Sequence, residues 1–227
     1  MLRAVIFDFD GVVSDSELLH YKALNQVFIE YGVDVPKEVH WEKYLGYSDL
    51  ENVIAVSRDY DMNFTEDQIP EIVRKKGEIF DELAAKETTI IDGAPQFIDM
   101  LKSNGIRMAV CSGVLLSDIE IMLKDSDLAP AFETIVAADH VTKGKPDPEG
   151  FLLALSRLNE NSNDNILPAQ CIVVEDSHWG LEAAAAAGMH PIAVTNTYPA
   201  SQLEKYAEKI TENLSDLTIE DLCGLCF

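Results

Sequence analysis

Basic residues are scarce in this 227-residue chain: 17 Lys and Arg face 40 Asp and Glu, a formal charge of −23 with histidines neutral. So acidic a surface repels phosphate backbones and anionic headgroups, which bind proteins chiefly through Lys and Arg. No nucleic acid and no membrane is therefore expected as a partner. Long apolar runs are missing too. None approaches the roughly 18 residues of a spanning helix, and Met1 leads straight into the apolar run from Ala4 to Phe9 without a charged leader, which argues against secretion. Cysteine is sparse: Cys111 and Cys171 lie inside apolar runs, where a reduced thiol acts as a small hydrophobe. Cys223-Gly-Leu-Cys226 has CxxC spacing but no second ligand pair, so it is assigned neither metal nor redox work. A cytoplasmic location fits this usage.

What is abundant is material for a core, since 47% of residues are apolar. Short Val- and Ile-rich runs recur at Ala4 to Phe9, Met108 to Cys111, Thr134 to Ala138, Cys171 to Val174 and Pro191 to Thr195, with helix-like segments between them. That alternation predicts an α/β fold, a buried parallel sheet with helices on both faces. Asp92-Gly93-Ala94-Pro95 supplies a cap candidate and a helix-tolerant proline ahead of Phe97, Ile98, Met100 and Leu101, with Gly105 as the stop. Ser177 is placed to cap a helix through Ala183 to Ala187 that ends at Gly188. Residues from about Asp15 to Thr88 lack strand-like runs, and Tyr21, Leu24, Val27, Phe28 and Tyr31 recur at helical spacing. The chain is expected to divide into a core of residues 1–14 and 89–227 and an inserted helical domain of residues 15–88. The crossings fall near Ser14 to Ser16 and Lys86 to Ile91, and Asn159 to Asn165 reads as a polar connecting loop.

Chemistry concentrates at the predicted strand ends, where ligands of open parallel sheets bind. The first strand runs into Asp8-Phe9-Asp10-Gly11, and two carboxylates at the mouth of a buried strand repel unless a cation neutralises them. A hard divalent ion such as Mg²⁺, which takes oxygen ligands, is the economical answer. Glu175-Asp176 repeats the arrangement after Cys171 to Val174. Ser112-Gly113 follows the second strand, and Lys145 lies in Gly144-Lys145-Pro146-Asp147-Pro148. A hydroxyl, exposed backbone N–H groups and an ammonium make a cradle for phosphate.

Together these motifs resemble the haloacid dehalogenase-like superfamily, in particular its branch of β-phosphoglucomutases and small-molecule phosphatases. The resemblance implies a Rossmann-like core with a helical cap. It implies that Asp8 is the nucleophile, forming an aspartyl phosphate, and that Asp10 is the acid and base. Ser112, Gly113 and Lys145 would hold the phosphoryl group. Asp8, the Asp10 backbone carbonyl, Glu175 and Asp176 would hold Mg²⁺. His20 stands where relatives carry a histidine that helps to position the acid-base aspartate. The implied partner is a small phosphorylated metabolite, with a monomer or weak homodimer as the working unit.

Individual positions narrow the reaction. Relatives that cleave carbon–halogen bonds lack the second aspartate, so Asp10 favours phosphate esters. β-Phosphoglucomutases resemble this chain at His20 but present a cap arginine in the stretch that here reads Tyr44 to Glu51, without arginine. Val114, Leu115 and Leu116 are also apolar where mutases offer polar contacts. A Mg²⁺-dependent phosphatase acting on a sugar or polyol phosphate is the leading expectation. A hexose phosphate mutase is the alternative, and a non-catalytic binding protein on the same core the third.

Overall fold

The computed structural model describes residues 1–45, 47–87, 90–124, 126–160 and 165–226. The chain divides into two compact units, Met1–Asp15 with Thr89–Phe227, and Ser16–Thr88. In order, the elements are β1 (Ala4–Phe7), α1 (Glu17–Glu30), α2 (Lys37–Lys43), α3 (Asp49–Asp59), α4 (Gln68–Glu87), α5 (Ala94–Ser103), β2 (Arg107–Cys111) and α6 (Leu116–Leu123). They continue with β3 (Thr134–Val136), α7 (Glu149–Glu160), β4 (Cys171–Glu175), α8 (His178–Ala186), β5 (His190–Val194), α9 (Ala200–Leu203), β6 (Lys209–Thr211) and α10 (Ile219–Cys223). Among the described residues no helix is long and apolar enough to cross a membrane.

The sheet is parallel throughout, in the order β3-β2-β1-β4-β5-β6. Every residue of β1 is fully buried, which is why its run is apolar on both faces instead of alternating. Ala4 and Ile6 share one face with Ala109, Cys111, Cys171 and Val173, against Phe151 of α7 and Ala183 and Ala184 of α8. The small alanines let α8 lie close to the sheet. On the opposite face Phe7 meets Phe97 of α5 and Phe132 edge-on, at centroid distances of 5.8 and 5.7 Å.

Two local expectations need correction. The cap of α5 is Gly93 at φ 92°, not Asp92, and no side chain caps that helix. A β-carbon on Gly93 would overlap the Asn213 side chain, so close approach and the positive φ both call for glycine. A sixth strand, β6, also lies outside the five apolar runs; its three residues pair with β5 at the sheet edge, with Lys209 and Ile210 only half buried. Ser177 does cap α8, its hydroxyl accepting from the Gly180 N–H at 3.2 Å. In the polar loop, α7 extends to Glu160, and residues 161–164 lie outside the described residues, as do residues 88 and 89 of the second crossing.

The helical unit has its own core. Leu24, Val27 and Phe28 of α1 pack with Val53 and Val56 of α3 and Ile72 of α4. Tyr21 is half buried, its hydroxyl donating to the Val35 carbonyl, whereas Tyr31 at the end of the stripe is 46% exposed. The basic run in α4 splits by helical geometry. Arg74 pairs with Glu71 and Glu78, and Lys75 with Glu30, on the solvent side. Lys76 follows Ile72 and precedes Phe80 and Ala84 at four-residue spacing, and is only 1% exposed.

Candidate active site

Strand register gathers the motif residues of the core unit. Phe7 is level with Val110 of β2 and Val174 of β4, so Asp8, one residue on, emerges beside Glu175 at the carboxyl edge. Asp8 remains tied to the sheet through its N–H, which donates to the Val174 carbonyl at 2.9 Å. The chain then turns sharply: the Phe9 carbonyl accepts from the N–H groups of Val13 and Ser14, and Gly11 adopts φ 74°. A β-carbon on Gly11 would overlap the Asp176 carboxylate, so glycine brings the first and fourth strand ends together.

Oxygens of Asp8, Glu175 and Asp176 lie within 4.8 Å of one another, and all three residues are buried. Lys145 answers part of this negative charge. Its Nζ donates to Asp8 Oδ1 at 2.7 Å and Glu175 Oε1 at 2.6 Å from a side chain only 17% exposed. Burial pushes the Asp8 carboxyl up to about 6, with Lys145 pulling against it and Glu175 adding to it. Burial, then the charges of Glu175 and Asp8, hold Asp176 well above the ordinary carboxylate range. Burial alone would lower the Lys145 ammonium, but Asp8 and Glu175 outweigh it and hold Lys145 well above its usual value.

Glu175 is the anchor of this arrangement. Its other oxygen accepts from the N–H groups of Asp176 and Ser177 and from the Ser177 hydroxyl, each at 2.9 Å. One carboxylate thereby fixes both Lys145 and the start of α8. Gly180 makes room for it, because a β-carbon there would overlap the Glu175 carboxylate. Gly180→Ala is expected to lower stability by about 3 kcal/mol, since a buried carboxylate would have to leave its donors. Urea unfolding measures this; unchanged stability would mean that α8 shifts without disturbing Glu175.

The remaining motif residues of the core take separate positions. Ser112 is buried, with its N–H on the Val136 carbonyl and its Oγ accepting from the Val114 N–H at 3.2 Å, which leaves the hydroxyl hydrogen to donate elsewhere. Ser112, Gly113 and Lys145 border one cavity of about 230 Å³, with Phe151 at its wall. Asp10 is half buried, and its charge acts on Asp176, but its carboxylate is not one of the three clustered groups.

His20 belongs to the helical unit. Its ring stacks on Phe80 at 4.2 Å, and Nδ1 lies 2.6 Å from Lys76 Nζ. An ammonium can only donate, so Nδ1 carries the lone pair and the ring is neutral. Burial, then Lys76 and His40, hold its pKa well below 6.5. Asp49 completes the group, 2.7 Å from Lys76 Nζ. A depressed histidine stabilises the fold above its unfolded pKa, and this contribution is lost as pH falls below it. Stability should therefore decline below about pH 6.5 by a component approaching about 1.4 kcal/mol per pH unit. His20→Gln, which keeps an acceptor for Lys76, should flatten that component in urea unfolding at pH 5 to 7; an unchanged slope would show that His20 does not cause it.

Asp49, Asn196 and Thr197 were not singled out as site candidates by their sequence pattern, and Lys76 stands in the basic run Arg74-Lys75-Lys76, which reads chiefly as a solvated face although Lys75 or Lys76 is a local attraction for a substrate phosphate. Lys76 had a signal, its place on the apolar stripe of α4. Asn196 and Thr197 had none, because their partners Gly11 and Asp176 lie on other strands. The two distal cysteines are free: Cys223 is exposed and Cys226 buried.

Known proteins resemble this chain along most of its length. The phosphorylated carbohydrates phosphatase of Thermotoga maritima is 31% identical over 192 residues, covering 84% of each chain. The β-phosphoglucomutase of Bacillus subtilis is 26% identical over 223 residues, 96% of this chain and 93% of that protein. The crystal structure of CbbY from Rhodobacter sphaeroides in complex with phosphate superposes with a TM-score of 0.82 at 28% identity, covering 98% of this chain and 100% of that one. A family model described as haloacid dehalogenase-like hydrolase matches residues 5–194, and by that match the chain belongs to this family.

Proposed function

We propose that the chain is a Mg²⁺-dependent phosphomonoesterase that hydrolyses a small sugar or polyol phosphate through Asp8. The carrying observation is the buried trio of Asp8, Glu175 and Asp176 with Lys145 donating into it. Its donors are all oxygen and hard, and one lysine leaves the trio net negative, which fits a small divalent cation. Asp8, Asp176, the Asp10 backbone carbonyl and Glu175 are the residues that would hold it. When bound, Mg²⁺ supplies charge neutralisation at the phosphoryl oxygens.

In the first half-reaction an Asp8 oxygen attacks phosphorus, the ester P–O bond breaks, and Asp10 gives its proton to the departing alcohol. In the second, Asp10 takes a proton from water as that water attacks phosphorus, which releases phosphate and regenerates the Asp8 carboxylate. Lys145, the Ser112 hydroxyl and the Gly113 N–H hold the equatorial oxygens. With a net charge of −23 the long-range field repels an anionic substrate, so capture depends on these local donors. The helical unit, in this reading, selects the leaving group.

Hydrolysis is favoured over phosphoryl shuttling by the charge pattern of that unit. Within the stretch from Tyr44 to Glu51, of which residue 46 lies outside the described residues, there is no arginine, and Asp49 takes up Lys76. The test is a panel of phosphomonoesters that includes β-glucose 1-phosphate, with free phosphate and glucose 6-phosphate followed together. Free phosphate is the expected product. Glucose 6-phosphate without free phosphate would establish the mutase instead.

A further inference from the structure

Asp8 and Glu175 both receive hydrogen bonds from Lys145, but Asp176 is met from another direction. Its Oδ2 accepts from the hydroxyl of Thr197, three residues beyond the end of β5. The preceding residue reaches a second strand end: Asn196 Nδ2 donates to the Gly11 carbonyl at 2.7 Å. The base of this segment is fixed to the sheet, since the Thr195 N–H donates to the Thr211 carbonyl at 3.1 Å. One dipeptide therefore ties together the turn that carries Asp10 and the carboxylate of Asp176. Gly11 sits between them, with space for no β-carbon beside Asp176 Oδ2 and Thr197 Oγ1.

We propose that Thr197 is a positioning residue that makes Asp176 a one-oxygen ligand and so sets the preference of the site for Mg²⁺ over Ca²⁺, with Asn196 holding the adjacent Asp10–Gly11 turn in register. This rests on the reading of Asp176 as a metal ligand. Mg²⁺ demands a small octahedral shell, whereas Ca²⁺ accepts two oxygens of one carboxylate in a larger and looser shell. A carboxylate whose Oδ2 is held by a hydroxyl hydrogen is fixed in one orientation, with Oδ1 its less engaged oxygen. Without that hydrogen bond, Asp176 is free to rotate and offer both oxygens. Hydrogen bonds of this kind, made to a ligand from outside the coordination shell, alter metal affinity by about 10- to 100-fold.

The experiment is calorimetric titration of the metal-free protein with Mg²⁺ and separately with Ca²⁺, in four forms: unaltered, Thr197→Val, Thr197→Ser and Asp176→Ala. Thr197→Val keeps the shape and loses the hydroxyl; it is expected to weaken Mg²⁺ binding about 10-fold while Ca²⁺ binding holds or tightens. Thr197→Ser should restore the original ratio. Thr197 is exposed at the sheet rim, so folding is expected to survive both changes, with the metal-free thermal midpoint as the check. If Asp176→Ala weakens Mg²⁺ binding and Thr197→Val leaves both affinities unchanged, the role of Thr197 is overturned and the metal site stands. If Asp176→Ala has no effect on Mg²⁺ binding, the assignment of Asp176 itself falls. Should Thr197→Val lower the midpoint, Thr197→Ala under the same titration decides, because a ratio equal to that of the unaltered protein overturns the proposal.

Discussion

Asp8→Asn should abolish turnover, by at least about 10⁴-fold, while the protein stays folded. A carboxamide of the same shape has no charged oxygen with which to attack phosphorus. The stability side of the prediction runs the other way. Burial already pushes the Asp8 carboxyl up to about 6, so part of the cost of the native site is the charge on this group. Asn removes that charge from a crowded trio and leaves Lys145 to Glu175. The metal-free variant should melt at the same temperature as the unaltered protein or above it. Acid quench with a ³²P-labelled substrate adds a direct readout: label should stay on the unaltered protein during turnover and be absent from Asp8→Asn. Labelled Asp8→Asn with residual turnover would mean that another residue is the nucleophile.

Lys145→Met should be the most damaging change to the site as a whole. Its ammonium lies within 2.7 Å of Asp8 and 2.6 Å of Glu175, and Glu175 is completely buried. Methionine fills much of the stem volume and keeps contact with Phe151, above which the ammonium sits at 5.3 Å, so packing is largely retained. The loss is the counter-ion. Three buried carboxylates would remain without it, at a cost of about 3 kcal/mol in the metal-free protein. Turnover should fall by about 10³-fold, since the proposed donor to the transferring phosphoryl group is also lost. Added Mg²⁺ should return more stability to Lys145→Met than to the unaltered protein, because it would be the remaining cation in the trio. Equal Mg²⁺ shifts in urea unfolding would contradict this account.

The motif residues were legible because backbone geometry does most of the work of bringing them together. A run of four to six Val- and Ile-rich residues with no polar alternation, too short for a buried helix, reads as a strand buried on both faces, and parallel pairing then aligns whatever follows each run at one edge. Asp8, Ser112 and Glu175-Asp176 each follow such a run directly. Lys145 lies farther from its strand, and the reach of its side chain into the carboxylates was not visible in one dimension. The errors have local causes. Asp92 has the composition of a helix cap, but Gly93 takes that position because the Asn213 side chain leaves no room for a β-carbon. β6 is too short to announce itself, and its pairing with β5 defines it. Helical phase separates Lys76 from its neighbours Arg74 and Lys75 and turns it inward to His20 and Asp49, which no charge count along the chain reveals.

By itself the sequence determined the acidic surface and the parallel sheet, because composition and hydrophobic periodicity are properties of neighbouring residues. Tertiary structure alone decided how charge is balanced. Glu175 divides its oxygens between Lys145 and the first turn of α8, and Thr197 engages Asp176 across 21 residues. Asp49 takes up the buried Lys76 across 27. Hydrogen bonds and ion pairs act over about 3 Å, and which donors come within that range of a buried carboxylate depends on how strands and helices pack, which no local pattern encodes.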